Sequence, residues 1–329
     1  MKKITLSFVA AAMLSATSAL AADMKPILKA PPPAESPWDI AFGGALMSDY
    51  NFRGISQSQR GPSGTVYSET RYNVNKDLQL YVGSQVWAVD LPTNPSCECD
   101  FYGGIRPTIG GVAFDFGFIY YYYPKEVGYF STTGAPGVPA NGATFPAFLN
   151  GNTTLNDTDF WEVYGKFTYE VVKDTFAIGG NVYYSPSWLH SGAPGTYASF
   201  TAKYTGKPFH LGIGLVQDVG WYVSGELGHY WIGTTDVNNL FLAAVDLPDY
   251  TTWNVGLAFT FAKVFTLDVR YYDTDLSKSN CNILTSDPRA VTGGVVNSIS
   301  NPNGLQSRLC GAAGIVTLKA DLTYKDSLK

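Results

Sequence analysis

The stretch LMSDYNFRGISQSQ, residues 46–59, decides how the rest of the chain is interpreted. It continues an alternation that begins at Asp39 and places two sets of side chains on opposite sides of an extended chain: Ile40, Phe42, Leu46, Tyr50 and Phe52 on one, and Asp39, Asp49, Asn51 and Arg53 on the other. Because successive side chains of a strand point to opposite faces, residues 39–53 predict an amphipathic first strand. A soluble sandwich strand would look similar, so a membrane assignment depends on the pattern recurring behind an export signal.

The N-terminus predicts such a signal. Lys2 and Lys3 precede a mostly apolar run over residues 4–16, and Ala19-Leu20-Ala21 fits a signal-peptidase site, so residues 1–21 are interpreted as a cleaved signal peptide. A membrane anchor is the alternative, but the run is short for a spanning helix. Residues 22–37 contain five prolines, which block helix and central strand, and they predict a periplasmic linker ahead of a barrel over residues 38–329.

The composition favours an all-β transmembrane barrel. Aromatic residues make up 15% of the chain, with 22 Tyr and 34 Gly, and no later segment is apolar for long enough to form a transmembrane helix. Barrel strands need only one apolar face, which suits this intermediate hydropathy. The formal net charge is −5, and no basic patch points to nucleic acid as a partner. No motif indicates a cofactor.

The same alternation predicts an antiparallel up-and-down barrel of twelve strands. They span residues 39–53, 65–74, 78–89, 99–109, 112–123, 158–171, 175–185, 196–205, 221–232, 250–261, 264–273 and 314–324. The short connections, residues 75–77, 110–111, 173–174 and 262–263, all follow an even-numbered strand. Outer-membrane barrels have short periplasmic turns and long extracellular loops, so their short connections all lie at one end of the barrel, as this chain order predicts.

Fourteen strands are the alternative, with residues 209–218 and 237–246 added. Aromatic positions favour twelve, because they then gather near the outer rim as one girdle. The girdle would consist of Tyr50, Phe52, Trp87, the run 120–123, Trp161, Tyr183, Tyr184, Tyr230, Trp231, Trp253, Tyr271 and Tyr272.

The polar faces of the strands supply the candidate lumen-lining residues. These are Asp49, Asn51, Arg53, Glu69, Arg71, Arg106, Asp115, Glu162, Lys166, Asp268, Arg270, Lys319 and Asp321. A lysine or arginine facing lipid near the bilayer midplane would cost roughly 2–4 kcal/mol, so the set is expected to face inward. Both signs of charge occur, and cross-strand ion pairs that only stabilise the wall are the alternative to a role in conduction.

Four cysteines in an exported chain predict disulfides. We expect Cys281 to pair with Cys310, because this closes a long loop on itself, and we leave Cys97 with Cys99 open because one intervening residue gives little room for relaxed geometry. A zinc site is disfavoured, since no histidine lies near either group, and no metal is expected.

Two motifs resemble the TorF family of porins: SDYNFRGISQS at residues 48–58 and YYDTDL at residues 271–276. The resemblance implies an outer-membrane barrel that passes small polar solutes passively and has no catalytic residues. The insertion at residues 124–157, the cysteine-bearing loops and the C-terminus, which lacks a final aromatic residue, depart from the family pattern.

The functional prediction is therefore an outer-membrane porin whose partners are outer-membrane lipid and small polar solutes or ions; the oligomeric state stays open. A twelve-stranded barrel has a backbone radius of roughly 12 Å, which leaves a narrow passage once side chains fill part of it. A surface adhesin or closed structural barrel is the first alternative. A barrel hydrolase is a remote one, since it needs a histidine beside a serine, and His229 is expected on the apolar face beside Trp231.

Overall fold

The computed structural model describes residues 36–127, 152, 154, 157–214, 216–236, 244–297 and 300–327. The predicted signal peptide and all of the predicted linker except Ser36 and Pro37 lie outside these residues. The barrel falls within one compact unit, Pro37–Lys329.

Twelve antiparallel strands close into an up-and-down barrel. They are β1 (Trp38–Met47), β2 (Ser63–Asn75), β3 (Leu78–Trp87), β4 (Glu98–Ile109), β5 (Val112–Tyr122), β6 (Phe160–Val172), β7 (Phe176–Ser185), β8 (Gly195–Thr205), β9 (Val216–Ile232), β10 (Tyr250–Phe261), β11 (Phe265–Thr274) and β12 (Ala313–Thr323). Each strand pairs with the next, and β1 closes on β12 with Phe42 opposite Leu322. The twelve-strand prediction is confirmed.

The fourteen-strand alternative is wrong in its first added strand. Phe209–Ile213 is extended, but it pairs only with the start of β9, with Phe209 opposite Val219. The connection between β8 and β9 is thus a hairpin extension. It lies at the barrel end that carries the tight turns, which we call the inner end; the opposite end is the outer end. Strand β9 begins at Val216 rather than Trp221. Most of the second added strand, residues 237–243, lies outside the described residues.

The barrel's outer surface is apolar. Side chains such as Leu46, Val82, Phe101, Phe200 and Leu227 are each more than half exposed and alternate with inward residues along their strands. An apolar belt on the outside and polar groups on the inside are what a bilayer requires of a spanning barrel, because lipid offers charged groups no solvation.

The two ends of the barrel differ. The inner end carries the tight turns, whereas the outer end carries the longer segments, which include the 3-10 turn Trp188–His190, helix α1 (Lys278–Thr285) and the short paired strands Val291–Thr292 and Leu305–Gln306. Helix α2 (Tyr324–Ser327) follows β12. Within the described ranges, no helix combines the length and the apolar character needed to cross a membrane.

The first strand ends at Met47, six residues before its predicted end at Arg53. Two short strands, Asn51–Phe52 and Ile55–Ser56, instead form a hairpin of their own. The chain reverses at Arg53 and Gly54, whose φ values are +48° and +89°. We call residues 48–62 the inward loop. Apart from the start of β9, the other strand ends agree with the predictions to within two residues.

Candidate functional site

The inward loop lies inside the mouth of the barrel. A Cβ atom added to Gly54 would come within 2.2 Å of Thr274 Cγ2 on β11 and 2.6 Å of Thr252 Oγ1 on β10. The backbone at Gly54 therefore touches the wall, and no larger residue fits without moving the loop. Glycine is needed here for a second reason, since its φ of +89° is strained for other residues.

Asp49 holds the loop folded back on itself. Its Oδ1 accepts hydrogen bonds from the Ser56 hydroxyl at 2.5 Å and the Ser58 hydroxyl at 2.9 Å, and its Oδ2 lies 3.4 Å from Nη1 of Arg60. Asn51 Oδ1 accepts from the Gly54 backbone N–H at 2.9 Å. The predicted positions of Asp49 and Asn51 on the inner face of a continuing strand are thus wrong, because these side chains form a turn instead.

Tyr50 anchors one side of the loop. Its ring stacks on Trp87 of β3 at 4.1 Å, and its hydroxyl donates to Glu98 Oε1 on β4 at 2.6 Å. Tyr123 donates to the other oxygen of Glu98 at 2.9 Å. Burial, followed by the nearby Glu98 charge, raises the pKa of Tyr50 well above its ordinary value. Tyr50 therefore stays protonated and remains a hydrogen-bond donor to Glu98.

Arg53 anchors the loop to the far wall. Its guanidinium donates to both oxygens of Glu162 on β6, at 2.7 and 2.8 Å, and the two side chains are 6% and 0% exposed. Tyr121 on β5 also donates to Glu162, at 3.0 Å. Strand β6 stands almost opposite β1 in a ring of twelve, so this contact carries the loop across the lumen.

Four aromatic rings surround the Arg53 guanidinium. Its Cζ lies 4.6 Å from the ring centres of Phe52, Tyr183 and Tyr197, and 5.0 Å from that of Tyr230. Such distances give favourable cation–π attraction, which is strongest where water is excluded. The rings come from the loop itself and from β7, β8 and β9.

This arrangement corrects the predicted aromatic girdle. Tyr184, Trp231 and Tyr271 do face outward, each more than two-fifths exposed. Tyr50, Tyr121, Tyr123 and Tyr230, in contrast, are buried within the mouth. The sequence predicted correctly that these rings lie near the outer end of the barrel. It did not show whether each ring faces outward or into the mouth, because both faces of a barrel strand can be aromatic where a loop packs inside.

A charged network lines the lumen wall on β2 to β5, in the half of the barrel nearer the inner end. Arg106 donates to both oxygens of Glu69, at 2.8 and 2.9 Å, and its Nε lies 3.4 Å from Asp115 Oδ2. Arg71 also donates to Glu69, at 2.5 Å. The Arg106 guanidinium stacks over Tyr81 at 3.6 Å. These four predicted residues are brought together by ion pairs, one within β2 and the others between strands, and the arginine side chains remain 24% and 30% exposed.

The remaining predicted strand residues lie on β6, β11 and β12, and Lys166 stands directly opposite Asp115 in the register of β6 with β5. Arg270 donates to Asp268 at 2.9 Å, Lys319 lies 3.6 Å from Asp321, and Lys166 sits over the Tyr164 ring at 4.4 Å. Most of these strand residues alternate with exposed apolar side chains, such as Val163 beside Glu162 and Val269 beside Arg270, and so lie on the inner face. The three predicted loop residues, in contrast, lie in the inward loop.

Two cavities with charged side chains in their walls flank the inward loop. One of about 360 Å³ is lined by Asn51, Arg53, Tyr197, Glu226 and Arg270, among others. A second of about 270 Å³ lies towards β1 to β3 and reaches Lys319 and Asp321. A third, smaller and mainly apolar cavity of about 150 Å³ lies on the outer side and is lined by Phe52, Trp188 and Leu284.

Both cysteine pairs stand at disulfide distance. The sulfur atoms are 2.11 Å apart for Cys281 and Cys310, and 2.00 Å apart for Cys97 and Cys99. Cys281 lies on α1, so the first pair ties this helix to the segment that leads into β12. Within the described ranges, no cluster of three or more histidine, cysteine or acidic residues has metal-site geometry.

The histidines do not form a recognisable hydrolase site. His229 lies on the outer face of β9, with its ring 4.6 Å from that of Trp231 and its Nδ1 3.0 Å from Thr251 Oγ1. His210 lies on the inner-end hairpin, 3.1 Å from Asp218. His190 lies in an outer segment beside Asp157. The three histidines are thus dispersed over different parts of the barrel.

One family model matches part of the chain. Its description is a bacterial protein of unknown function, Gcw_chp, and the match spans residues 32–134, which include the inward loop and β1 to β5. The match covers less than half of the chain and does not carry the TorF name. No curated protein matches the chain.

Solved structures with a similar fold include outer-membrane channels. An outer membrane channel from Pseudomonas putida F1 is 11% identical, with a TM-score of 0.40, over 88% of this chain and 96% of that one. The KdgM porin in complex with disordered oligogalacturonate is 9% identical, with a TM-score of 0.37, over 87% and 98%. The NanC porin is 10% identical, with a TM-score of 0.36, over 86% and 98%. Similarities this low carry no functional argument, so function is argued below from the barrel itself.

Proposed function

We propose that the protein is an outer-membrane channel for small polar solutes and ions, narrowed by its inward loop. One observation carries the proposal: the wall is apolar outside and charged inside, with Arg71 and Arg106 partly exposed to the lumen. A closed core would be expected to bury or replace such groups, because desolvating a charge is costly.

The outer membrane is the proposed location. The predicted signal peptide supports export, and the tight turns at one end with longer segments at the other support the usual orientation of outer-membrane barrels. The proposed partners are membrane lipid around the apolar belt and water-soluble solutes within the lumen. No catalytic role is proposed for any residue.

A closed barrel is the second candidate, and the Arg53–Glu162 pair favours it. A loop fixed at both Glu98 and Glu162 spans the lumen and reduces its width. The two cavities beside the loop support narrowing rather than closure, because each provides space for water and small solutes next to charged side chains.

Proteoliposome swelling distinguishes the two candidates. Vesicles containing the purified protein are transferred into isotonic solutions of urea, glycerol, a pentose or a tetrasaccharide, and the initial rate of swelling is measured. A narrow channel predicts rates that fall steeply with solute size and are negligible for the tetrasaccharide. Rates equal to those of protein-free vesicles for all four solutes would exclude the channel and leave the closed barrel.

Ion selectivity tests the charged lumen separately. Arg106→Ala removes one lumen cation and should shift the reversal potential in a KCl gradient towards greater cation selectivity. Lys76→Ala is the matched control, because Lys76 lies in an inner-end turn with its side chain 89% exposed. An equal shift for both variants would show that Arg106 does not face the conducting path.

A further inference from the structure

The wall opposite β1 surrounds the planar Arg53 guanidinium. Five adjacent strands, β5 to β9, contribute Tyr121, Glu162, Tyr183, Tyr197 and Tyr230, and the inward loop adds only Phe52 and Arg53. The carboxylate and three of the four rings around the guanidinium therefore belong to the barrel. We call these five wall residues the cation cage.

The cage requires a positive charge. Glu162 is fully buried, and within the described ranges Arg53 is its only ion-pair partner. A buried carboxylate without a cation is strongly unfavourable, so removal of Arg53 alone leaves a carboxyl group that is stabilised by taking up another cation or a proton. Both oxygens of Glu162 are aligned for two parallel N–H donors, a geometry that a guanidinium satisfies and a single ammonium does not.

The cage also holds its shape through contacts within the wall. Tyr121 stacks on Phe160 at 4.4 Å, Tyr183 lies 5.3 Å from Tyr164, and Tyr197 lies 5.8 Å from Tyr230. These contacts do not involve the inward loop. The rings thus stay positioned for a cation when the loop moves away.

We propose that the cation cage is a binding site for solutes that carry a guanidinium group, and that Arg53 is its built-in occupant. A solute guanidinium competes with Arg53 for Glu162 and the tyrosine rings, and its binding releases the inward loop. The site goes beyond the proposed channel function, because binding requires no conduction.

The neighbouring cavity supplies room for the rest of such a solute. It measures about 360 Å³, is lined in part by Arg53, and shares Tyr183 and Tyr197 with the cage. Glu226 on its wall accepts hydrogen bonds from Tyr197 at 3.0 Å and Asn254 at 3.3 Å, and has no cationic partner within the described ranges. Arg270 lines the same cavity and donates to Asp268 at 2.9 Å, so Glu226 is the carboxylate there that a positively charged group of the solute can approach.

Calorimetric titration of detergent-solubilised protein tests the proposal directly. Methylguanidinium should bind Arg53→Ala with saturation, and methylammonium should bind about tenfold more weakly or less, because it cannot make the bidentate contact. Wild type should need a much higher concentration, since the tethered Arg53 competes at a high effective concentration. Arg308→Ala, which removes an exposed arginine from an outer segment, should behave as wild type.

Two further variants keep the outcome decisive. Arg53→Ala combined with Glu162→Gln should lose the methylguanidinium binding. Gly54→Ala displaces the loop and retains every charge, so it should bind methylguanidinium more tightly than wild type even if Arg53→Ala fails to fold. Equal binding by the single and double variants, or no saturation in both Arg53→Ala and Gly54→Ala, would overturn the proposal, and neither result depends on whether the barrel conducts.

Discussion

Arg53 of the inward loop and Glu162 of β6 form a buried ion pair across the lumen. Both side chains are buried, and their bidentate contact joins residues 109 positions apart in the chain. Removing one partner of a buried ion pair typically costs about 3–5 kcal/mol, because the other charge stays desolvated. The loop that carries Arg53 can avoid this cost by leaving the barrel mouth, which the wall cannot do.

Glu162→Gln should therefore release the inward loop without unfolding the barrel. The expected result is trypsin cleavage after Arg53, which is protected in wild type because its side chain is 6% exposed. Mass spectrometry of the fragments gives the cleavage site. Asp77→Asn is the matched control, because Asp77 belongs to an exposed pair with Lys76 that contributes little stability. If Arg53 stays protected in Glu162→Gln, the pair does not hold the loop.

At the scale of elements, strands and loops differed in how far the sequence could predict them. Strand positions follow from local alternation, and most ends agreed to within two residues. The alternation also ran through Asp49, Asn51 and Arg53, where the chain turns inward instead. A signal for this turn was present in the sequence. Gly54 is flanked by Asp49, Asn51, Ser56 and Ser58, and all of these residue types favour turns. Periodicity alone cannot separate a strand from a hairpin that repeats its pattern.

The Cys281–Cys310 bridge should stabilise its outer segment more than the Cys97–Cys99 bridge stabilises its own. Loop-closure entropy for a separation of 29 residues amounts to about 3–4 kcal/mol, against about 1 kcal/mol for a separation of two. Hydrogen exchange of the α1 amides, Lys278–Thr285, measures the effect. Replacing Cys281 and Cys310 with serine should speed this exchange strongly, whereas replacing Cys97 and Cys99 should leave it nearly unchanged. Similar exchange in both double variants would contradict the expectation.

At the scale of the whole molecule, the barrel was predictable and the contents of its mouth were not. The number of strands and the apolar exterior follow from the alternation of apolar and polar residues. The position of each short connection after an even-numbered strand follows from the order of the strands along the chain. The cation cage draws on five strands, and neither its own contacts nor those with the inward loop leave a local pattern in the sequence. Tyr183, Tyr197 and Tyr230 were for this reason missed as site residues, although Arg53 and Glu162 were both candidates.

The two-sided architecture makes a labelling prediction. A cysteine at Asn94, which is exposed at the outer end, should react with a membrane-impermeant maleimide on intact cells. A cysteine at Lys76, in an inner-end turn, should react only after the outer membrane is permeabilised. The native cysteines are all paired and provide no background. Equal labelling of both positions on intact cells would exclude this orientation.

Single-channel conductance in planar bilayers tests most directly the claim that the inward loop sets the width of a conducting lumen. Wild type should give small discrete steps. Gly54→Ala should give larger ones, because the added Cβ would lie 2.2 Å from Thr274 and must push the loop away from the wall. Gly314→Ala is the matched control, since nothing lies within 4 Å of its added Cβ, and it should conduct as wild type does. Steps of equal size in all three proteins, or none in any of them, would contradict the claim.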